Sequence, residues 1–205
     1  EYKQSNEYGD FDLEAMAKNG AFEACSQLGA TPVDSGVYEI VLKNSASSSL
    51  LAAHVSMFSA ESVQKDVSLL KGKVGEKIGA DLITLVDDPF RKKSARSGAF
   101  DDEGVATTYK ELISKGELTG YMHNLKTAKK DDIKSTGNGF IGRGIAPTNL
   151  YIKPGEFKYD DAVKSMVKGI IITDLAGTHS GADPISGNFS LQASGFLVEN
   201  GKIGR

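Results

Sequence analysis

The sequence predicts an α+β fold, and three observations carry that prediction. Apolar residues recur at helical spacing over Phe11–Leu28 and again over Leu50–Phe58. Short β-branched or apolar runs, at Val37–Leu42, Leu82–Val86, Asn149–Lys153 and Ile170–Thr173, lie near turn-forming Pro, Gly, Asp and Ser residues. Near the C-terminus FSLQASGFLVE alternates bulky with small or polar side chains. It runs into Asn200-Gly201, two residues that tolerate the positive φ of a tight hairpin turn.

Each element follows from local chemistry. Glu1–Gly9 is polar and expected to be exposed. Phe11, Ala15, Phe22, Cys25 and Leu28 mark the first helix, with Gly29 placed to stop it and Cys25 read as a small buried hydrophobe. Pro32, Asp34, Ser35 and Gly36 turn the chain into the first strand. Ser45–Ser49 supply N-caps for a helix carrying Leu50, Leu51, His54, Val55 and Phe58 on one side. SLLKGKVGEKI, Ser68–Ile78, reads as a loop packed under another segment. Leu82–Val86 is a buried strand ended by Asp87-Asp88-Pro89, and Arg91–Gly98 is an exposed basic run. After an acidic turn at Asp101, Asp102, Glu103 and Gly104, Thr107 or Thr108 caps a short helix through Leu112 and Ile113 that Gly116 ends. Leu118–His123 returns as a strand. Lys126–Gly144 has few apolar anchors and is either mobile or ordered by contacts that the sequence does not display. Asp160-Asp161 open a helix with Ala162, Val163, Met166 and Val167 on its apolar face, ended by Gly169. The strand that returns at Lys202 stops at Arg205, too short to balance a partner of about ten residues. The sheet is therefore expected to continue beyond it.

Composition narrows the function classes. A chain of 205 residues with 40% hydrophobic content suits one large domain or two small ones. The net charge of −3 leaves no excess of cations for a phosphate backbone, so nucleic acid is not an expected partner. No apolar run reaches the roughly 18 residues of a membrane span, and no signal-peptide pattern opens the chain. With a single cysteine, Cys25, the cytoplasm is the expected location.

Candidate chemistry is sparse. His54, His123 and His179 are the only histidines, and no two form an i, i+4 metal pair. His54 reads as a core or rim residue and His123 as a hydrogen-bonding one. His179 sits among Gly177, Ser180 and Gly181, where backbone N–H groups and the imidazole can approach a ligand together, or where it orders the loop. Asp87 with Asp88, and Asp101 with Asp102 and Glu103, are acid–base or cation candidates, or turn residues accepting backbone hydrogen bonds. Ser68, Ser180, Ser186 and Ser190 lack a Gly-x-Ser-x-Gly elbow. Gly137-Asn138-Gly139 with Gly142 and Gly144 lacks the Gly-Lys-Ser/Thr ending of a phosphate loop.

Taken in order, LLKGKVGEKI, LVDDP, FDDEGVATT, LISKGELTGYMHNLKTA, STGNG, APTNLYIKPGE and GTHSGADPISGNFSLQASGFLVENGKIG resemble the PmbA (TldE) branch of the TldD/PmbA family, from about Gly29 to the last residue. The resemblance implies a curved, largely antiparallel sheet or partial β-barrel with a few packed helices. It also implies a helical linker from an N-terminal domain at residues 1–28, and a C-terminal-type domain at 29–205 that stops short of its last strands. The TldD branch looks like a zinc peptidase whose helix carries His-Glu-x-x-x-His, with a cysteine as third ligand. Alignment through Leu50-Leu51 puts Ala52 and Ala53 at the His-Glu positions and Met57 at the second His. His54 falls inside the window at a non-ligand position.

The implied role is a non-catalytic subunit holding no cofactor. It pairs with a TldD-type zinc metallopeptidase that cleaves unfolded or extended peptides, or with itself. His179, Ser180, Gly181, Ser186 and Phe189 then shape the cleft or the subunit interface. Two alternatives stand beside it. One is an autonomous metal-dependent hydrolase using His179 with Asp87 or Asp101. The other is a regulatory protein-binding module of the gyrase-modulator type.

Overall fold

Helical and extended segments alternate in the computed structural model, which describes Ser5 and Glu7–Gly204; most of the polar opening segment lies outside the described residues. In chain order, α1 spans Leu13–Ser26, β1 Glu39–Leu42 and α2 Asn44–His54; a 3-10 turn, Val55–Phe58, leads into α3, Ala60–Gln64. Next come β2 (Leu85–Asp87), β3 (Lys110–Ser114), β4 (Glu117–Leu118) and α4 (Leu125–Lys130). They are followed by β5 (Gly139–Phe140), β6 (Gly144–Ile145), β7 (Leu150–Ile152) and α5 (Tyr159–Ser165). β8 (Lys168–Ala176), α6 (Thr178–Gly181), β9 (Gln192–Glu199) and β10 (Lys202–Ile203) complete the set. The sheets run β1-β8-β9-β10, β4-β3-β2-β7 and β5-β6, each open at its edges. Every pairing is antiparallel except β1 with β8, so the fold is α+β with largely antiparallel sheets and no closed barrel among the described residues. No helix among them is long and apolar enough to cross a membrane.

The chain divides into two compact units. One holds the segments up to Leu50, Glu156–Thr178 and from Ser190 onward. Its centre is β8, paired with β1 from Glu39↔Gly169 to Leu42↔Ile172 and with β9 from Lys168↔Glu199 to Ala176↔Gln192. A bulge between Ile172 and Asp174 leaves Thr173 unpaired in the ladder, and its Oγ1 donates to the Ser194 carbonyl at 3.1 Å. Val163 and Met166 pack with Ile171 and Val198 on one face.

The hairpin turn falls at Asn200-Gly201 as the sequence predicts, with φ of 49° and 72°. Gly169 does not end α5 as expected but lies inside β8. A Cβ there would lie 2.7 Å from the Glu39 carbonyl oxygen, a backbone atom of β1, so glycine is needed for the close approach of the two strands. α2 starts earlier than expected, with Ser47 N–H donating to the Lys43 carbonyl at 2.9 Å, so Ser45–Ser49 are interior residues rather than caps. α1 is capped by Asp12, which accepts from Ala15 N–H at 2.9 Å, and is tied to β1's C-terminal end by the Glu23–Lys43 ion pair. It buries none of its residues, so Cys25 is exposed rather than a core residue.

The other unit holds Leu51–Gly155 and His179–Phe189. Met57, Phe58, Leu70, Leu85, Leu112, Leu118 and Met122 form its core. The expected helix after Thr107 is instead β3. Lys115 and Gly116, with φ of 47° and 81°, turn it directly into β4, which a helix continuing through Ile113 to a lone C-terminal glycine would not allow. β2 is shorter than expected, leaving Leu82 90% exposed and drawing Asp87 into the strand. The strand expected at Leu118–His123 pairs only to Leu118, and Met122 then bridges in parallel to Ser59. The stretch from Lys126 to Gly144 is ordered: Asn124 and Thr127 form a capping box for α4, and β5 with β6 makes a hairpin.

A Cβ on Gly195 would lie 1.9 Å from the Ile171 carbonyl oxygen, a backbone atom that the bulged ladder holds in place. Gly195→Ala is expected to cost about 1–3 kcal/mol, the range for overpacking, read as a lower urea midpoint. A midpoint equal to that of the parent chain would contradict this β8–β9 register.

Candidate functional site

The carboxylates that look chemically available are occupied by the fold. Asp87 is fully buried in β2 and is not a turn residue. Its Oδ1 accepts from Thr148 N–H (2.8 Å), Thr148 Oγ1 (2.6 Å) and Asn149 N–H (3.1 Å). Its Oδ2 accepts from Asn138 Nδ2 (2.8 Å) and Lys110 Nζ (3.1 Å). Asp101 is a buried turn residue. Oδ1 accepts from the N–H groups of Glu103 (3.0 Å) and Val105 (2.9 Å), and Oδ2 from Gly139 N–H (2.8 Å). Asp102 and Glu103 extend the knot, accepting from the N–H groups of Ile141 and Leu125, each at 2.7 Å. These carboxylate oxygens are taken up by donors that hold loops in place, which makes them structural acceptors rather than groups presented to a substrate.

His123, read from sequence as a hydrogen-bonding or solvent-facing residue, is 3% exposed. Its backbone N–H donates to Thr136 Oγ1 (2.7 Å) and its carbonyl accepts from Ser135 Oγ and Thr136 Oγ1 (both 3.1 Å). Its Nδ1 is buried with no hydrogen-bond partner among the described residues. Burial lowers the imidazole pKa, against weaker opposing effects of the Asp131 charge and the Thr127 carbonyl, so the neutral form is favoured.

The exposed candidates lie in the second unit's final segment. His179 and Ser180 are exposed and Gly181 half-buried in the short turn of α6. Asp183 organises the turn after α6. Its carboxylate accepts from Ile185 N–H (2.9 Å) and Ser186 Oγ (2.7 Å), while its backbone N–H donates to the Asn188 carbonyl (2.8 Å) and its carbonyl accepts from Gly187 N–H (2.8 Å). The Ser186 hydroxyl, then the Ile185 N–H, holds the Asp183 carboxyl below its usual range. Asp183 is absent from the sequence-derived candidates, although Asp-Pro-Ile-Ser is a side-chain-closed turn signal. Ser186 therefore closes the loop rather than waiting as a nucleophile.

This loop rests on the segment that carries the metal-motif positions. The Phe189 ring stands edge-on to His54, with centroids 6.0 Å apart and planes at 70°. Gly187, at φ 76°, lies where a Cβ would be 2.9 Å from Leu69 Cδ2 and 4.0 Å from Met57 Cε. Ala52 and Ala53 occupy the last turn of α2, and Met57 is buried in the core cluster. Two methyl groups supply no donor atoms and a core thioether is a poor substitute for imidazole, so these residues do not fit a zinc ion. Among the described residues no three His, Cys, Asp or Glu side chains group to hold a metal, and His179 is not brought together with Asp87 or Asp101 in that way.

Comparison with known proteins adds to this geometry. The profile of the PmbA/TldA metallopeptidase C-terminal domain matches residues 35–205. A Thermotoga maritima protein, crystallised as a candidate modulator of a DNA gyrase, superposes with a TM-score of 0.94 and 44% identity, over 98% of this chain and 46% of that one. TldE from Thermococcus kodakarensis superposes with a TM-score of 0.85 and 30% identity, over 94% of this chain and 45% of its own. A TldD metalloprotease homologue of Haemophilus influenzae is 32% identical over 202 residues, 95% of this chain and 42% of the homologue. The chain spans less than half the length of each of these relatives.

Two measurements test the buried groups. Asp87→Ala is expected to cost about 3–5 kcal/mol, because it strands Lys110 and four other donors; a loss below 1 kcal/mol would show the network to be dispensable. His123 has a folded pKa below its unfolded value near 6.5, so its contribution is full above that value and is lost as pH falls through it. Between about pH 7 and pH 5.5 the parent chain should lose more stability than His123→Gln. Parallel pH profiles would remove His123 as a source of acid sensitivity.

Proposed function

We propose a function from one premise: the chain belongs to the PmbA/TldD metallopeptidase family. It is the non-catalytic, TldE-type subunit of a pair whose TldD-type partner holds the zinc and cleaves unfolded or extended peptides. The observation that carries this reading is the trio Ala52, Ala53 and Met57 at the positions where the TldD branch has His, Glu and His. Whole-chain identity does not separate the branches, being 30% to a TldE and 32% to a TldD homologue. Residue chemistry at these three positions is what supports the TldE-type reading.

In this role the chain contributes shape rather than a nucleophile or a base. Asp183 fixes the loop, and the loop offers His179, Ile185 and Phe189 to a partner or to a peptide. Ile185 and Phe189 are 52% and 55% exposed, large apolar surfaces of the kind that proteins use for contact. Gly187, with φ of 76°, supplies a backbone conformation that favours glycine two residues before Phe189, whose ring meets His54.

The test is reconstitution of the full-length protein with a TldD-type subunit, assayed for peptide cleavage against each component alone. Cleavage is expected from the mixture and not from this protein. Phe189→Ala, alone or with His179→Ala, should weaken association or turnover by roughly tenfold, the scale of a contact worth just over 1 kcal/mol. Stoichiometric zinc on this protein alone, with cleavage that a chelator abolishes, would overturn the reading.

A further inference from the structure

We infer that the loop Pro89–Gly98 is a preformed docking site for an acidic segment of another polypeptide. The run Phe90-Arg91-Lys92-Lys93-Ser94-Ala95-Arg96 puts four cations in six positions within a chain of net charge −3, and no carboxylate lies between Pro89 and Gly98. All four cationic side chains are exposed. Lys92 and Arg96 form no ion pair among the described residues, in contrast to Lys65, Lys77 and Lys153, each of which faces a carboxylate. Two carboxylates near the loop in sequence or through β3 have partners of their own. Asp88 accepts from Phe90 N–H at 2.9 Å, and Glu111 pairs with Lys153.

The loop is built, not merely solvated. Its ends meet through Gly98 N–H donating to the Pro89 carbonyl at 3.2 Å, as in a compact Ω-loop. Inside it, Ser97 Oγ donates to the Arg91 carbonyl (2.7 Å) and Ser97 N–H to the Ser94 carbonyl (3.3 Å). Asn149 clamps it from β7's N-terminal side. Its Nδ2 donates to the Asp88 carbonyl (2.7 Å) and Ser97 Oγ (3.0 Å), and its Oδ1 accepts from Ser94 Oγ. The Arg91 guanidinium lies 4.6 Å over the Tyr151 ring, which fixes the charge while its in-plane N–H groups stay available. A partner therefore meets one cation, Arg91, already held against a ring, and a backbone already closed around the other three, so that less ordering of the loop is left to the binding step.

The chemistry favours carboxylates on a polypeptide over a nucleic acid. Single strands bind by stacking bases on open aromatic faces along a basic track. Here the Tyr151 face is covered by Arg91 and Lys153 lies 5.8 Å from the centre of the Tyr109 ring, which leaves Phe90, 60% exposed, as a single open ring in the loop rather than a row of stacking faces. The overall negative charge opposes a long polyanion, whereas a short acidic segment meets only the local field, since screening sets in beyond about 8 Å at physiological salt.

The experiment titrates the full chain with a fluorescent oligoglutamate peptide and, separately, a single-stranded oligonucleotide, at low and physiological ionic strength. Three proteins are compared: the parent, Lys92→Glu/Arg96→Glu, and a control, Lys129→Glu/Lys130→Glu, on the exposed end of α4. The parent should bind the peptide in a salt-dependent manner, weakened about tenfold by the loop variant and less than about twofold by the control. Equal thermal midpoints establish that each protein is folded, and Lys92→Gln/Arg96→Gln replaces the loop variant if its midpoint falls. Absent peptide binding, binding indifferent to the loop, or loop-dependent oligonucleotide binding tighter than peptide binding would each overturn the assignment.

Discussion

The carboxylate of Asp87 is the constraint on which the second unit is arranged. A fully buried anion costs several kcal/mol unless opposite charge and hydrogen bonds compensate it. Compensation here comes from four places in the sequence: Lys110 on β3, Asn138 before β5, Thr148 before β7, and the adjoining Asn149 backbone. Meeting the needs of one side chain therefore fixes both neighbours of β2 and the hairpin between them. Asn138 carries the network further, since its Nδ2 also donates to the Ala146 carbonyl and its Oδ1 accepts from Thr136 Oγ1, which bonds the His123 backbone. Asp101 repeats the device nearby by accepting from Gly139 N–H. The polar stretch between α4 and β6 is thus ordered by donors pointing at carboxylates rather than by apolar anchors.

That economy of polar groups determines where function can reside. Asp87, Asp101, Asp102 and Glu103 have the composition of an acid–base or cation site, yet each accepts backbone or side-chain donors that hold loops in place. Asp183 is of the same kind on the surface, closing its own turn through Ser186 and Ile185. The two surfaces proposed for recognition are both presented by such turns: His179, Ile185 and Phe189 by one loop, and the cations of Pro89–Gly98 by another. Asn149 links the second loop to the hub, because its backbone N–H donates to Asp87 while its side chain clamps Ser94, Ser97 and Asp88.

Legibility in the sequence tracks the range of the interaction. The β9–β10 turn is readable because Asn200-Gly201 encodes its own φ angles, and the first helix because Gly29 and its apolar spacing are local. β3 reads wrongly as a helix because Thr107, Thr108 and Gly116 mimic a cap and a stop. The deciding signal is the Lys115-Gly116 pair, and Gly116 also packs against the Gly79 carbonyl, from a distant segment. Spacing alone assigns Cys25 to a core, but α1 buries no residue. Asp87 cannot be recognised as interior from its neighbours, since its donors lie from 23 to 62 positions away. The candidate loop is legible as a place, through its glycines and His179. Its organiser, Asp183, is not, because the histidine and the serines draw the chemical argument.

The three motif positions have a structural consequence beyond their chemistry. Met57 is 9% exposed and helps fill the core with Phe58, Leu70 and Met122, while a Cβ added at Gly187 in the loop would lie 2.9 Å from Leu69 Cδ2 and 4.0 Å from Met57 Cε. A metal ligand at this position would have to direct a polar nitrogen toward a cation, and the thioether is instead surrounded by hydrocarbon. Histidine at 57 would place an imidazole among apolar neighbours with Ala52 and Ala53 offering nothing to complete a ligand set, and burial would cost it a hydrogen-bonding partner. Met57 is thus part of this unit's apolar core, and the loop that carries Phe189 meets the same segment through the ring of His54.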